Sequence, residues 1–588
     1  MVSQYTTDNV FKTDIESFRQ SRTQNVAIHT DTFEIDRDAL SGQLPARYWF
    51  SPGFVGTVAA LCLGNISTYL GWIMPSNSLL VISTLPSPHV GQNASFTGNR
   101  RWFFVGGNAL ALTGGIVGAT AQSVGTLIGG NILVGLAGAV QISFTVAISE
   151  LVSNKHRPLW IAGIFFSSFG IACFGPVIAQ ALVTGTTAGW RWSYYLNIIV
   201  SGLAIILFLF FYHPPDFHLL HKNRSKMDQI KRQDFIGFVL FVGGLSLFIM
   251  GLSWGGQLYA WKSPHVISTI VIGFLALAAF VLYDLYAHKG DPLLPVHLFK
   301  RNGYIAMVLT ATVGSCVYYS MNVLWPQQIT YLFPSTPLHN GWLACVVGSA
   351  TLVGQTIGGV LCQFISRSKR IMMSGCLLLL TFSVAMPQIN PGEEAIGVAL
   401  MFMACFSVGI TETCSLALAP LELRSEDIGA ALGALGSIRS GGAAVATAIY
   451  VSILNNKLAQ FVPEHVTLAA LGAGLPPSSM ESLYKNPDGG KLNLVPGMTP
   501  SIIAAVGNAR AWAAAEAFRF VWYAVIAFAA VAVGASALTI DYGEYLTDNV
   551  ERRLHGIVVT WEVKQDIELL ERPSRASTYA SDGMGRAE

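Results

Sequence analysis

The chain is 588 residues long; 52% of them are hydrophobic, 12% are charged, and the formal net charge is +2. Soluble domains carry about 25% charged residues, so this balance excludes an ordinary soluble protein. The near-neutral charge argues against a nucleic-acid partner.

Residues 1–53 are polar, mix acids with bases and lack an apolar h-region. They read as a cytoplasmic arm rather than a cleaved signal peptide, with the first span serving as its own insertion signal. Thirteen apolar stretches follow, at 54–76, 102–121, 126–149, 158–183, 193–212, 235–253, 266–287, 304–325, 341–365, 371–388, 395–419, 428–454 and 520–540. About 20 apolar residues in a helix cross about 30 Å of hydrocarbon, and only helices or closed barrels satisfy their backbones there. Strand-type alternation is absent, so the predicted fold class is an all-α polytopic membrane protein. All eight cysteines fall inside the apolar stretches and offer neither a disulfide framework nor a metal-ligand pattern.

Lys and Arg favour cytoplasmic loops. From Arg100 and Arg101 onward, basic and base-poor connections alternate: Lys155 and Arg157, then Arg191 alone, then five bases within 213–234, then Lys262 alone. Lys289, Lys300 and Arg301 follow, and later Arg367, Lys369 and Arg370, Arg424, and a tail with Arg552 and Arg553. The pattern puts the C-terminal tail inside. The leading arm, with Lys12, Arg19, Arg22, Arg37 and Arg47, also reads as cytoplasmic, yet a single helix at 54–76 has only one inner flank. Either one crossing is missing between about Pro88 and Gly98, or the stretch from 54 to about 85 re-enters; the first is simpler.

The predicted organisation is a cytoplasmic N-terminal arm (1–53), an N-terminal helical half (54–212), a basic loop with two extra helices (213–303), a C-terminal helical half (304–540) and a cytoplasmic tail (541–588). The last half includes an external segment, 455–519. Its Pro-Gly-Ser-rich part at 472–500 is predicted as loop, and 501–518 as an interfacial helix.

Ionisable groups deep in a span cost at least about 2.5–3.5 kcal/mol, so each is a functional suspect. Glu412 and Arg439 lie on adjacent spans with opposite charge, which predicts an ion pair. Functionally, Glu412 would take and release a proton while Arg439 competes for the carboxylate; the competing reading is a static bridge that fixes packing. Glu150, Asp234 and Asp284 sit at span ends, where caps are expected. Gly175 and Pro176 are hinge candidates, because a mid-helix proline removes a hydrogen bond and glycine admits a close neighbour. Asn65, Asn131, Gln141, Tyr318, Tyr319, Asn322 and Gln355 are candidates for lining an apolar cavity with a few polar groups, with helix–helix hydrogen bonding as their alternative fate. No P-loop pattern appears, so the energy source would be an ion gradient; no enzyme activity, cofactor or metal is expected.

Several stretches carry a family resemblance: CLGNISTYLGWIMPSNSL at 62–79, SELVSNKHR at 149–157, FGPVIA at 174–179, AGWRWSYY at 188–195, SWGGQLYAWKS at 253–263 and VYYSMNVLWP at 317–326. DIGAALGALGSIRSGGAAVATAIYVSIL at 427–454, GAGLPPSS at 472–479 and VPGMTPSIIAAVG at 495–507 complete it. Together they resemble the fungal trichothecene efflux pump family, in the fourteen-span drug:proton antiporter branch of the major facilitator superfamily. The resemblance implies two helical halves plus two extra central helices, with thirteen spans here against fourteen in the family. It also implies proton-coupled efflux of an apolar secondary metabolite, toxin or drug by alternating access, in a multi-pass plasma-membrane protein, the vacuolar membrane being the alternative. The implied partners are the lipid bilayer, a small apolar substrate and protons. Gly98, Arg100 and Arg101 look like the remnant of a cytoplasmic loop motif whose acidic residue and preceding helix are absent. Asn131 stands where the family has an arginine, and Ala179 and Gln180 where glycines are common. Two other functions remain open at this stage: a siderophore–iron transporter, and a non-transporting remnant or membrane sensor.

Overall fold

A computed structural model describes residues 50–73, 100–152, 155–212, 234–256, 258–287, 296–365, 367–423, 427–480, 483 and 497–543. Among these residues the structure is helical, without named strands, and thirteen helical segments are long and apolar enough to cross a membrane, as the sequence predicts. Gly98 and the expected gap at 88–98 lie outside the described residues, as do nearly all of the N-terminal arm and the tail beyond residue 543.

The first half comprises α1 (Pro52–Ile73), α2 (Arg100–Ala119), α3 (Val124–Ile142), α4 (Phe144–Leu151), α5 (Arg157–Ser167), α6 (Phe169–Gly185) and α7 (Trp192–Phe211). Next come α8 (Phe235–Trp254) and α9 (Pro264–Leu282). The second half is α10 (Asn302–Leu332), α11 (Pro337–Phe364), α12 (Ser368–Ala385), α13 (Glu394–Leu418), α14 (Ile428–Gly472) and α15 (Pro500–Ala537). Several starts are written in the sequence: Ser263, Thr336 and Thr499 each cap a helix whose first residue is proline, the position where a missing N–H costs nothing.

Two predicted spans are each interrupted once. The 126–149 stretch breaks at Ser143 between α3 and α4, and the 158–183 stretch at Ser168 between α5 and α6. The backbone of α6 continues helically through Pro176, so the interruption in this span falls eight residues before the proline.

Helices α1 and α2 run in the same direction. Thr57 at the start of α1 donates to the Phe211 carbonyl (3.3 Å), and Phe104 at the start of α2 stacks on Phe208 (centroids 5.0 Å apart). Both helices therefore begin level with the end of α7. At the opposite end of α2, Gly118 packs on Tyr194 near the start of α7, and Gly71 of α1 approaches Asn197. Thus α1 ends toward one face and α2 begins on the other.

The halves meet mainly where α5 and α6 pack along α11. Helices α8 and α9 pack on each other through Gly244, Gly251 and Gly273, and join the bundle by Leu245 and Ile249 against Ala444 and Ala448 of α14. With little attraction of apolar surface to drive helices together in lipid, such small-residue seams let dispersion contacts hold the pair.

The 455–519 segment differs from its prediction. The 428–454 span continues as one helix to Gly472, and the 501–518 stretch is continuous with the last span. At 1.5 Å per residue the 45 residues of α14 reach about 68 Å, more than twice the hydrocarbon thickness. The overhanging turns of α14 and α15 build a small core of their own from Val466, Ala470, Leu475, Leu483, Ile502 and Val506. His465 and Glu516 pair beside it at 3.2 Å. Tertiary burial keeps helical a stretch expected as a connection, Pro463 included.

Candidate functional site

Close backbone packing between α11 and α13 creates the site. Gly354 and Gly358 of α11 lie against the backbone of Phe406 and Ile410, and Gly409 of α13 lies against Thr351 and Gln355. A Cβ at any of the three would meet backbone atoms, so only glycine permits this separation. At that spacing the Gln355 side chain reaches Glu412, its Nε2 donating to Oε2 at 2.9 Å.

The other carboxylate oxygen, Oε1, accepts from Arg439 Nη1 of α14 at 2.5 Å, and both side chains are almost wholly buried. Arg439 Nη2 also donates to the Tyr319 hydroxyl at 3.3 Å. Tyr319 packs edge-on against Tyr318, centroids 5.2 Å apart. From the N-terminal half, Tyr69 of α1 faces the same groups: its hydroxyl stands beside Gln355 and within electrostatic range of Glu412, Tyr319 and Arg439, and Tyr318 lies near it. The site is thus a neutralised ion pair inside a cage of three tyrosines and one amide, shared between the halves. Gln355 Oε1 and Arg439 Nε have no hydrogen bond of full geometry in this arrangement.

The structure brings together five of the sequence candidates here: Glu412, Arg439, Gln355, Tyr318 and Tyr319. Asn322 sits one turn along α10 and donates to the Tyr318 carbonyl at 2.8 Å. The remaining candidates lie in the N-terminal half. Asn65 donates to the Ile164 carbonyl (3.2 Å) and to Ser168 Oγ (2.8 Å), at the break between α5 and α6. Asn131 exchanges hydrogen bonds with the Tyr194 hydroxyl at 2.9 and 3.3 Å. Gln141 donates to Ser67 Oγ and Asn108 Oδ1, each at 3.0 Å, and accepts from Thr68 Oγ1 at 3.0 Å. Ser67, Asn197 and Ser201 extend that buried network across to α7.

Gly175 is buried, and Pro176 lies next to Val177, whose Cα meets Gly341 of α11. Arg101 donates to the Leu209 carbonyl near the last turn of α7, while Arg100 contributes the first residue of α2. Asp234 caps α8, accepting from Gly237 N at 2.6 Å, as its place at a span end suggests. The sequence reading passed over Tyr69, Ser67, Asn108 and Asn197. The same rule that singled out Asn65 applies to Asn108 and Asn197, and Tyr69 follows Asn65 by four residues, hence on one helix face.

The sequence profile described as "Fungal trichothecene efflux pump (TRI12)" matches residues 98–571. The chain is similar to the trichothecene efflux pump TRI12 of Fusarium sporotrichioides, 28% identical over 92% of this chain and 94% of that protein. It is also similar to the MFS-type transporter prx5 of Penicillium rubens, 27% identical over 74% of this chain and 80% of that protein. Among solved structures, the POT family transporter PepTSo matches at 12% identity with a TM-score of 0.49, over 84% of this chain and 98% of that one.

Proposed function

The chain belongs to the fungal trichothecene efflux pump family, a family of major facilitator membrane transporters and not of enzymes, and on that footing we propose that it exports an apolar, toxin-like small molecule in exchange for protons. Glu412 is the coupling carboxylate in this reading. The observation that carries it is the placement of that acid: nearly fully buried, paired with Arg439, and faced by Tyr69 from the other half. A carboxylate so placed can be reached by a proton or a substrate only when the halves separate, which is the requirement for alternating access. Arg439 neutralises the charged form, so a neutral substrate entering beside the tyrosines meets no uncompensated charge. The tyrosine rings supply apolar area with a polar tip, suited to holding an apolar molecule by its oxygen atoms. The plasma membrane is the location that fits export from the cell.

Inverted vesicles from cells expressing the chain test this reading. An imposed proton gradient, acid inside, should drive uptake of a labelled trichothecene, and Glu412→Gln should remove the dependence on the gradient. Uptake by Glu412→Gln with unchanged pH dependence would reject Glu412 as the coupling group. Accumulation of an iron–siderophore complex by intact cells, without trichothecene movement, would reject the exporter assignment.

A further inference from the structure

We propose that Cys362 of α11 and Cys414 of α13 form a reversible disulfide with a hydroperoxide as oxidant, a modification site that staples the two helices beside Glu412. The helices run in the same direction and stay in register along their close contact. Gly354 meets Phe406, Gly358 meets Ile410, and one turn further on each helix the facing residues are Cys362 and Cys414. Their sulfurs lie 2.8 Å apart, and both thiols are free. Two glycine contacts in succession bring the backbones together, and closely spaced backbones are what a bridge requires. The pair follows Glu412 by two residues on α13 and Gln355 by about two turns on α11. A bond there fixes the helix spacing on which the Gln355–Glu412 hydrogen bond depends.

Both residues are closed to solvent, 1% and 0% exposed, within an apolar core that the two halves share. Buried thiols are ordinarily inert, so the reaction waits for an opening. What covers this end of α11 is the start of α5: Gly359 lies against Ala162 and the Pro158 carbonyl, and Gln363 Nε2 meets His156 Nδ1 at 3.3 Å. Separation of the halves, the one step that rests on the transport reading, bares Cys362 and admits water and peroxide. Water takes the Cys362 proton, and the thiolate attacks one peroxide oxygen. The O–O bond breaks, hydroxide leaves and recovers that proton as water, and the sulfur is left as a sulfenic acid. The Cys414 sulfur then displaces the sulfenic hydroxyl, which departs with the Cys414 proton as a second water while the S–S bond forms. Two thiols thereby give two electrons to the peroxide oxygens, and a small thiol reductant returns them.

The full-length chain in liposomes is exposed to hydrogen peroxide, denatured, alkylated with N-ethylmaleimide and digested without reduction. Mass spectrometry should find Cys362 joined to Cys414 as the main oxidised product, and dithiothreitol should reverse it. Cys405, equally buried on α13 but turned to the Met401 thioether, should remain alkylatable. Cys414→Ser should leave Cys362 to be trapped by dimedone as the sulfenic acid, and Cys362→Ser should leave Cys414 unmodified. The wild-type map decides the pairing even if neither variant folds. A trichothecene gradient, which works the halves apart, should speed the link several-fold. Both thiols recovered alkylated after peroxide, or a link between other cysteines such as Cys173 and Cys345, would overturn the proposal and leave the transport reading standing. A Cys362–Cys414 link that forms at one rate with and without the gradient would support the thiol pair and count against the transport reading instead.

Discussion

The carbonyl oxygen of Ala172 points at Gly348 across the seam between the halves, where a Cβ on residue 348 would collide with it. Pro176 explains the vacancy at that carbonyl. It stands four residues later and has no N–H to donate back, so the oxygen is released from the helix ladder and meets the Cα of α11. A Cα–H···O contact of this kind compensates the lost hydrogen bond in part. The hinge candidate Pro176 therefore acts through a residue one turn away and a glycine on the opposite half. Gly348→Ala should separate α6 from α11 and cost about 1–3 kcal/mol. Gly163→Ala, where the added carbon meets nothing within 4 Å, should be neutral or stabilising by about 0.5–1 kcal/mol. Thermal unfolding of the detergent-solubilised chain distinguishes the two.

Removing Arg439 strands a buried carboxylate. Arg439→Ala alone should cost about 3–5 kcal/mol, the usual result of breaking a buried pair from one side. Adding Glu412→Gln should recover most of that loss, because a neutral amide needs no counter-charge. A double-mutant cycle on unfolding midpoints checks this; additive losses would mean that the two residues do not stabilise each other.

The polar network of the N-terminal half should be structural. Gln141→Leu withdraws a partner from Ser67, Thr68 and Asn108 at once. Buried groups left unsatisfied cost about 1–3 kcal/mol each, so the variant should be among the least stable of single substitutions in this half. Asn131→Ala, which leaves mainly the Tyr194 hydroxyl to find another partner, should cost less. Expression level and unfolding temperature measured side by side test the ranking.

The chain after α15 returns to cap α12. Arg367 makes no side-chain cap, and the second residue of the helix, Lys369, donates its N–H to Asp541 Oδ1 at 3.0 Å. Tyr542 N donates to Ser368 Oγ at 2.8 Å beside it. Asp541→Ala should lose about 1 kcal/mol, as removal of an N-cap does, while Asp541→Asn should keep most of it. Hydrogen exchange at Lys369 reports the change locally.

Apolar length and charge alternation were enough to read the spans, because the bilayer imposes one length scale on every crossing. The ion pair was equally legible: Glu412 and Arg439 are charges in places where charge is expensive. Tyr69 was as legible by residue type as Tyr318 and Tyr319; what the sequence does not carry is its placement against Glu412 from the opposite half. The long overhang of α14 was also hidden, since the contacts that stabilise it come from Ile502 and Val506, about forty residues away in sequence. The break at Ser143 carries no adjacent proline or glycine, and that at Ser168 only Gly170 two residues on.

Proton flux during transport is the most direct test of the central claim. The purified full-length chain is placed in liposomes holding a pH-sensitive dye, and a trichothecene gradient is imposed without any initial pH difference. The account predicts that trichothecene efflux brings protons in with the wild type, and that Glu412→Gln moves none. Substrate flux without proton flux in the wild type, or equal proton flux in Glu412→Gln, would contradict it.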